Sequence, residues 1–372
     1  MDMGLSSEQI AIRDSIRKFL RAENPIAVAR EATQNSAGYA VDVWRKISEL
    51  GWPGIGIPEQ YGGGGLGLQE LALMYEEFGR ALYQGPHFGG AFLCGQLVLK
   101  LGSENQKREL LPAMASGRTL MSLALLEENA RWDEPGINLR AQRTRDGWRL
   151  TGTKLFVTHA TAAHGLLCAA RDVETGGISL FRLRDPKALS ISPMPSTFGT
   201  LYHEVMLRDV PVTGDNIVGS PGNSWSAIRE VLEWGAAAQC AEMVGLAQSI
   251  LDMSVEYARV RVQFGRPIGT YQAMQHVLAD MVTRLDCARL LTYQAVSLLA
   301  DGRPSQRELA MAKAYVNEGA YQIALDGMQV HGGIGYMMEH PLPYYVQRIL
   351  YGKMHLGDTD VYLEEVAQAL GL

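Results

Sequence analysis

Cysteine is scarce in this chain, and long apolar runs are missing. Only 4 cysteines occur among 372 residues: Cys94, Cys168, Cys240 and Cys287. They lie far apart, no two at metal-ligand spacing, and they cannot staple a chain of this size. They read as buried thiols of a reducing compartment. No stretch of about 18 apolar residues is present, so nothing is expected to span a bilayer as a helix. Met1-Asp2-Met3-Gly4 opens without a basic region followed by an apolar run, and no secretory signal is expected. Net positive charge is lacking as well, since 34 Lys and Arg against 40 Asp and Glu give −6. That balance argues against nucleic acid or an anionic membrane surface as the main partner. No P-loop, G-x-S-x-G or Cys/His pair occurs. His159, His164 and His331 lack H-x-x-x-H spacing beside an acid, so they read as core or surface histidines and no metal site is expected. What is present is apolar material, at 47%, enough for a substantial core. At about 150 residues per domain the length suggests two or three units of a cytoplasmic protein.

The periodicity divides the chain in the order α, β, α. Ser6-Ser7-Glu8-Gln9 has capping-box spacing and opens an amphipathic run through Leu20. Further helical patterns cover 41–50, 69–82 and 90–101, and Ser103-x-x-Gln106 opens another that leads to Gly117. From about Thr119 to Val218 the helical spacing gives way to short β-rich runs at 148–158, 165–170, 178–183, 189–192 and 204–210. Turns such as Arg145-Asp146-Gly147 punctuate them, which predicts a small antiparallel sandwich or barrel. Long helical patterns return at 225–260 and 272–299, and a third, opened by a Ser305-x-x-Glu308 capping box, runs to about Val330. Shorter ones follow at 345–355 and 360–370. Long helices with short links predict an antiparallel bundle. The expected fold is α+β and multidomain: an N-terminal α-helical domain (1–118), a middle antiparallel β domain (119–222) and a C-terminal antiparallel helix bundle (223–372).

Four segments invite a functional reading. Gly62 to Gly67 matches G-x-G-x-x-G formally, but no strand precedes it and no βαβ unit surrounds it, so it reads as a flexible connecting loop. Arg261-x-x-Phe264-Gly265, followed by Gln272, links two long helices. It is either an ordinary interhelical turn or a rigid donor fork for phosphate beside an aromatic cover. Gln329-x-x-Gly332-Gly333-x-Gly335-Tyr336 ends the third long helix with more glycine than a C-cap needs. It is either an irregular turn or a place where something approaches the backbone closely. Gly152-Thr153-Lys154-Leu155-Phe156-Val157-Thr158 reads as a strand with an aromatic and a hydroxyl on one side, at i and i+2.

Taken together, these residues resemble the acyl-CoA dehydrogenase family of flavoproteins, over nearly the whole chain. Gly54-Ile-Gly-Ile-Pro58-Glu-Gln-Tyr61-Gly62-Gly63-Gly64-Gly65 resembles the family's loop before its substrate-wall helix. The 152–158 strand resembles its G-x-K-x-W-I-T, with Phe156 in place of tryptophan and Thr158 matching. There the aromatic and the threonine flank the flavin ring. The Arg261, Phe264 and Gln272 motif and the Gln329, Gly332 and Gly333 motif resemble the segments that hold the pyrophosphate and adenosine of FAD bound by a neighbouring subunit. The resemblance implies FAD, an acyl-CoA substrate, electron-transfer flavoprotein as acceptor, and a homo- or heterotetramer. In the family a carboxylate removes the α-proton while the β-hydride passes to the flavin, and such a base works best within hydrogen-bond reach in a dry pocket.

The sequence departs from the pattern where the base belongs. The family's E-G-T-S segment appears as Leu356-Gly357-Asp358-Thr359, and leucine accepts no proton. The second family position for the base falls on Gly235. The family's T-E-P appears as Leu126-Glu127-Glu128, so only a backbone amide at Leu126 is left to meet the flavin there. Three readings stay open. A sister subunit could supply the base in a heteromer, as in the family branch that desaturates steroid side-chain CoA thioesters, which Gly235, Leu356 and the altered T-E-P resemble. A nearby acid could replace it: Asp358 or Asp360, or Glu242, which lies on nearly the same helix face as Gly235 but roughly 10 Å along the axis. Asp358 also falls where the family has a flavin-contacting threonine, leaving that contact to Thr359. Finally, the chain could be a flavin-dependent oxidase or oxygenase, or a non-catalytic FAD-binding partner.

Overall fold

The computed structural model describes residues 4–372; the expectation about Met1-Asp2-Met3 lies outside the described residues. In chain order the helices α1 (Ser7–Glu23), α2 (Ile26–Ala32), α3 (Val41–Glu49), α4 (Leu68–Arg80), α5 (Cys94–Leu101) and α6 (Glu104–Ala115) come first. Strands β1 (Met121–Ala124), β2 (Arg140–Thr144), β3 (Gly147–Thr158), β4 (Gly165–Asp172), β5 (Ile178–Leu183), β6 (Ser190–Met194), β7 (Tyr202–Val212) and β8 (Ile217–Val218) follow. Helix α7 (Trp225–Val260) leads to a hairpin, β9 (Val262–Gln263) and β10 (Arg266–Pro267), then to α8 (Gln272–Ala300), α9 (Gln306–His331), α10 (Leu342–Met354) and α11 (Thr359–Ala369). No described helix is long and apolar enough to cross a membrane, and the four cysteines are free.

Two compact units emerge. Among the described residues, one holds 4–30, Gly67–Tyr83 and Ala236–Leu372; the other holds Glu31–Leu66 and Gln84–Gly235. The first is helical. Its core joins Met243, Leu246 and Ile250 of α7 to Met281 and Leu285 of α8, Val316 and Ile323 of α9, and Leu342 and Ile349 of α10. Helices α4 and α7 cross so closely that each supplies a glycine. A Cβ on Gly79 would stand 2.0 Å from the Glu242 carbonyl oxygen, and one on Gly245 would stand 1.9 Å from that of Glu76. Arg17 of α1 grips the buried Glu77 of α4 with two hydrogen bonds, at 2.8 and 2.6 Å.

The second unit is built on an 8-stranded sheet in the order β6-β7-β3-β2-β4-β5-β8, with β1 against β4. The antiparallel expectation holds for most pairs, but β1 and β2 both run parallel to β4. Neither reaches β4 through a hairpin, since β3 lies between them in the chain and pairs with β2 itself. The glycine loop is a connector, as expected, and it is pinned: the amides of Gly64, Gly65 and Leu66 donate to the carbonyls of Gly54, Ile57 and Ile55. The stretch expected to be helical from Gly90 begins instead with a π-helical turn, His87–Leu93, that runs into α5. The boxes at Ser6 and Ser103 form as the sequence predicts. The one at Ser305 does not; the Glu308 carboxylate takes the Arg307 guanidinium instead.

Glu127 holds this second unit together at one point. Its carboxylate accepts from Lys154 Nζ at 2.7 Å, from the Leu139 amide at 2.9 Å and from the Asn138 amide at 3.0 Å. Lys154 is fully buried. Glu127→Gln keeps an acceptor for the two amides but leaves the buried ammonium without a counter-charge, with the Leu125 carbonyl at 2.9 Å still accepting from it. The expected cost is about 3 kcal/mol, read as a lower urea midpoint, with part of it returned by Lys154→Met in the same background.

Candidate active site

Strand β3 carries the first group of candidate residues. Trp148, Leu150 and Lys154 are buried, then the alternation changes phase and Val157 is buried instead. A bulge opposite β7, between Lys154 and Val157, makes the change. Phe156 sits in it at φ +56°, a left-handed conformation that costs a bulky residue about 1–2 kcal/mol. Its ring remains 40% exposed and meets Tyr202 edge-on at 5.6 Å. Thr158 stays on the half-exposed side, where a Cβ on Gly89 of the π-helical turn would come 3.3 Å from its Oγ1. The Leu155 amide donates to the Leu126 carbonyl at 2.9 Å. Leu126 therefore lies against the strand that carries Phe156 and Thr158, within one unit.

The second group stands at one end of the helical unit. Arg261 opens onto the β9–β10 hairpin, where an interhelical turn was one expectation. Phe264 and Gly265 form its tip at φ +53° and +83°, the pair of positive values a two-residue type I′ turn requires. Phe264 is 93% exposed. Tyr271 braces the hairpin by donating to the carbonyls of Gln263 and Phe264 at 3.1 and 3.2 Å, and the Arg266 guanidinium lies 4.1 Å over its ring. Arg261, Gln272 and Gln329 are exposed. Gly332 ends α9 at φ +62°, and a Cβ on Gly332 or Gly333 would meet nothing within 4 Å. Packing within the chain therefore does not demand both glycines, and the space above them is open. Tyr257 stacks on His331 at 4.7 Å, which brings the ends of α7 and α9, and so the hairpin and the glycine turn, to one place.

The third group comprises the two positions for the base and the acids considered in their place. Gly235 is buried within α7. Leu356 is 4% exposed and left-handed at φ +60°, its carbonyl held by the Tyr362 hydroxyl at 2.7 Å. Two of the three carboxylates considered as substitutes, Asp358 and Glu242, are already engaged. Asp358 caps α11, accepting from the Val361 amide at 3.0 Å. Asp360 is exposed in the first turn of α11. Glu242 is buried, with Oε1 accepting from Arg348 Nε at 2.6 Å and Oε2 from Gln239 Nε2 at 2.8 Å. The Thr359 hydroxyl donates to Glu318 at 2.6 Å, and Glu318 also binds Lys353 at 2.7 Å.

Sequence reasoning passed over three further polar residues: Gln239, Lys313 and His355. Gln239 lies one turn beyond Gly235 and His355 directly precedes Leu356, so their spacing from the base positions was the available signal. Lys313 is fully buried in α9 and clamps the end of α10, its Nζ donating to the Gly352 carbonyl at 2.8 Å and to Asn317 Oδ1 at 3.1 Å.

Burial pushes the Lys313 ammonium down to about 8, against the smaller upward pull of Cys240, Glu242 and Asp358. The unfolded chain keeps its lysine protonated to about 10.4. Below about pH 8 the group is charged in both states. Between there and about 10.4 only the unfolded state holds the proton, so this lysine makes stability rise with pH. Urea midpoints measured between pH 7.5 and 9.5 are expected to climb less steeply in Lys313→Met than in the wild type.

Comparison with known proteins agrees with this architecture. Residues 6–118 match the acyl-CoA dehydrogenase N-terminal domain and residues 222–371 the acyl-CoA dehydrogenase C-terminal domain. The chain is 34% identical to the probable acyl-CoA dehydrogenase YngJ of Bacillus subtilis (strain 168), over 94% of this chain and 93% of that one. It superposes on butyryl-CoA dehydrogenase from Megasphaera elsdenii with a TM-score of 0.92 at 26% identity, covering 100% of both chains. A variant of the Tcur3481–Tcur3483 steroid ACAD gives 0.87 at 27% identity, covering 98% of each. With the helical unit, the mixed sheet and the bulged β3 in place, the chain belongs to the acyl-CoA dehydrogenase family of FAD-dependent oxidoreductases acting on CH–CH groups.

Proposed function

We propose that this chain carries out FAD-dependent α,β-dehydrogenation of an acyl-CoA thioester, in an oligomer that passes electrons to an electron-transfer flavoprotein. The observation that carries the reading is the β3 bulge. It holds Phe156 in a strained, half-exposed conformation beside Thr158, and strain of this kind persists where a site over-determines it. The residues fit the cofactor. Phe156 offers an apolar ring to the flavin, Thr158 a hydroxyl and Leu126 a backbone amide. The Arg261 fork suits a pyrophosphate, with Phe264 and Gln272 beside it. The open backbone at Gln329, Gly332 and Gly333 suits the adenosine of FAD held with a neighbouring subunit. FAD, when bound, supplies the hydride acceptor. The chain's residues orient the thioester against it and exclude water from the reacting carbons. The four free thiols support a cytoplasmic setting.

A second reading is favoured by one observation. Gly235 and Leu356 offer no proton acceptor, which also suits the baseless member of a heteromer whose sister subunit carries the glutamate. Co-purification with neighbouring gene products, followed by acyl-CoA bleaching of the flavin with and without them, separates the two. Bleaching by this chain alone defeats the second reading.

Arg261 is exposed and packs no core, so its truncation reports on cofactor rather than on folding. Arg261→Ala is expected to weaken FAD retention about 10- to 100-fold, the loss of one charge-assisted contact worth about 1.5–3 kcal/mol. The check is the ratio of visible to protein absorbance after desalting. Unchanged retention would remove Arg261 from the cofactor site.

A further inference from the structure

Strand β7 departs from an aliphatic pattern beside the β3 bulge. Its inward row opens with His203, Val205 and Leu207, all buried. The two aliphatic members pack into the apolar core of the sheet unit. A ring buried there needs partners for both nitrogens, because an unpaired polar group costs stability. It finds them at two points on one short segment. Nδ1 lies 3.2 Å from the Val157 carbonyl oxygen, and Nε2 lies 3.2 Å from the Thr161 hydroxyl. A carbonyl only accepts, so Nδ1 carries the proton and Nε2 accepts from the hydroxyl. Burial holds the imidazole below its ordinary pKa, against the smaller upward pull of the Val157 carbonyl, and so favours the neutral ring.

What these contacts bracket is the second observation. Val157 is the first paired residue past the bulge, and its register partner is His203 itself. It stands between Phe156 and Thr158 in the chain. Beyond Thr158 the strand gives way to a turn that starts with left-handed His159, at φ +53°. The Ala162 amide closes that turn on the His159 carbonyl at 3.1 Å, and Thr161 lies within it. Ser122 of β1, also buried, adds a third anchor: its hydroxyl donates to the Thr158 carbonyl at 2.5 Å. Two successive carbonyls and the turn after them are thus held by buried side chains. Phe156 and Thr158, in contrast, remain partly exposed. Every residue in this arrangement belongs to the sheet unit. Valine or leucine at position 203 would continue the aliphatic row and make neither hydrogen bond.

We propose that His203 is a positioning residue for the flavin. By holding the Val157 carbonyl and the Thr161 turn, it fixes where the Phe156 ring and the Thr158 hydroxyl stand against the cofactor, without touching it. This rests on the assignment of the β3 edge to the flavin above. A contact group must be held by supporting hydrogen bonds to keep its geometry, and a displacement of about 1 Å is enough to degrade a reacting arrangement. His203 supplies that support from the side of the sheet that the cofactor does not reach.

The test compares two amide replacements in the full chain. In His203→Asn the amide nitrogen takes the place of Nδ1 and keeps the bond to Val157. In His203→Gln the longer side chain reaches the Nε2 position and drops that bond. The first measurement is amide hydrogen exchange of the FAD-free protein. Residues 157–162 are expected to exchange about tenfold faster in His203→Gln, the loss of one hydrogen bond, and near the wild-type rate in His203→Asn. The second is made after FAD loading. The reduction midpoint and the visible circular dichroism of the bound flavin are expected to shift in His203→Gln and to return toward wild type in His203→Asn. His203→Leu replaces the glutamine variant should that one fail to fold. Phe156→Leu and Thr158→Val serve as controls for the cofactor's place. A flavin that responds to the controls but not to His203→Gln overturns the proposal alone. So does an equal shift in His203→Asn, or unchanged exchange at 157–162 in His203→Gln. A flavin that responds to none of these changes, or a protein that takes up no FAD, overturns the assignment of the β3 edge and the proposal with it.

Discussion

The buried carboxylate of Glu242 is the constraint on which the helical unit's local chemistry depends. A carboxylate at 2% exposure needs its partners, and it takes one from each direction: Arg348 on α10 and Gln239 one turn back on α7. That satisfies the charge, ties two helices together and leaves the Gln239 oxygen aimed at His355. The same region carries the Lys313 clamp on the end of α10. The loop from His355 to Asp358 is therefore held from both sides, by polar contacts in an otherwise apolar bundle. Removing Glu242 would release every contact in that sequence at once, whereas removing His355 would release only the last.

Backbone strain is distributed with the same logic. Phe156, Phe264 and Leu356 all adopt positive φ, a conformation that packing alone would give to glycine or asparagine. One lies in the β3 bulge, one at the hairpin tip, and one at the position the family reserves for its base. Two of the three are held through their own carbonyls, Phe264 by the Tyr271 hydroxyl and Leu356 by the Tyr362 hydroxyl; Leu82, Ala130, His159 and Asp209 share positive φ elsewhere, so strain marks a contact point only together with exposure, as at Phe156 and Phe264. The glycines that show the tightest packing, Gly79 and Gly245, serve a different end. They let α4 and α7 cross backbone to backbone, which fixes the helix that bears Gly235, Gln239 and Glu242.

Much of this was legible in the sequence because it rests on periodicity. The long helices at 225–260 and 272–299, and the serine boxes at Ser6 and Ser103, follow from spacing and capping chemistry that act locally. What was not legible depended on competition between neighbours. Ser305 has the same box spacing, but Arg307 captures the glutamate it needs. The β9–β10 hairpin is hidden because Phe264 is a poor residue for a left-handed turn. The π-helical turn at His87 is hidden because a Cβ on Gly90 would come 2.6 Å from the Met121 carbonyl, a tertiary contact no local rule reports. Within the site, the motif residues could be found by type, while the Gln239–His355 contact required two helices and a loop to be placed first.

The buried polar chain that starts at Glu242 fixes the tautomer of one ring: Gln239 gives its amide nitrogen to Glu242 and its oxygen to His355 Nδ1, so Nδ1 carries the proton, and that can be observed directly. Nitrogen NMR of the folded protein with labelled histidine, the His355 signals assigned by their loss in His355→Gln, reports each ring nitrogen separately. At neutral pH the account predicts a proton on Nδ1 and none on Nε2, unchanged on titration down to pH 6. A proton on Nε2, or an imidazolium at neutral pH, would contradict it.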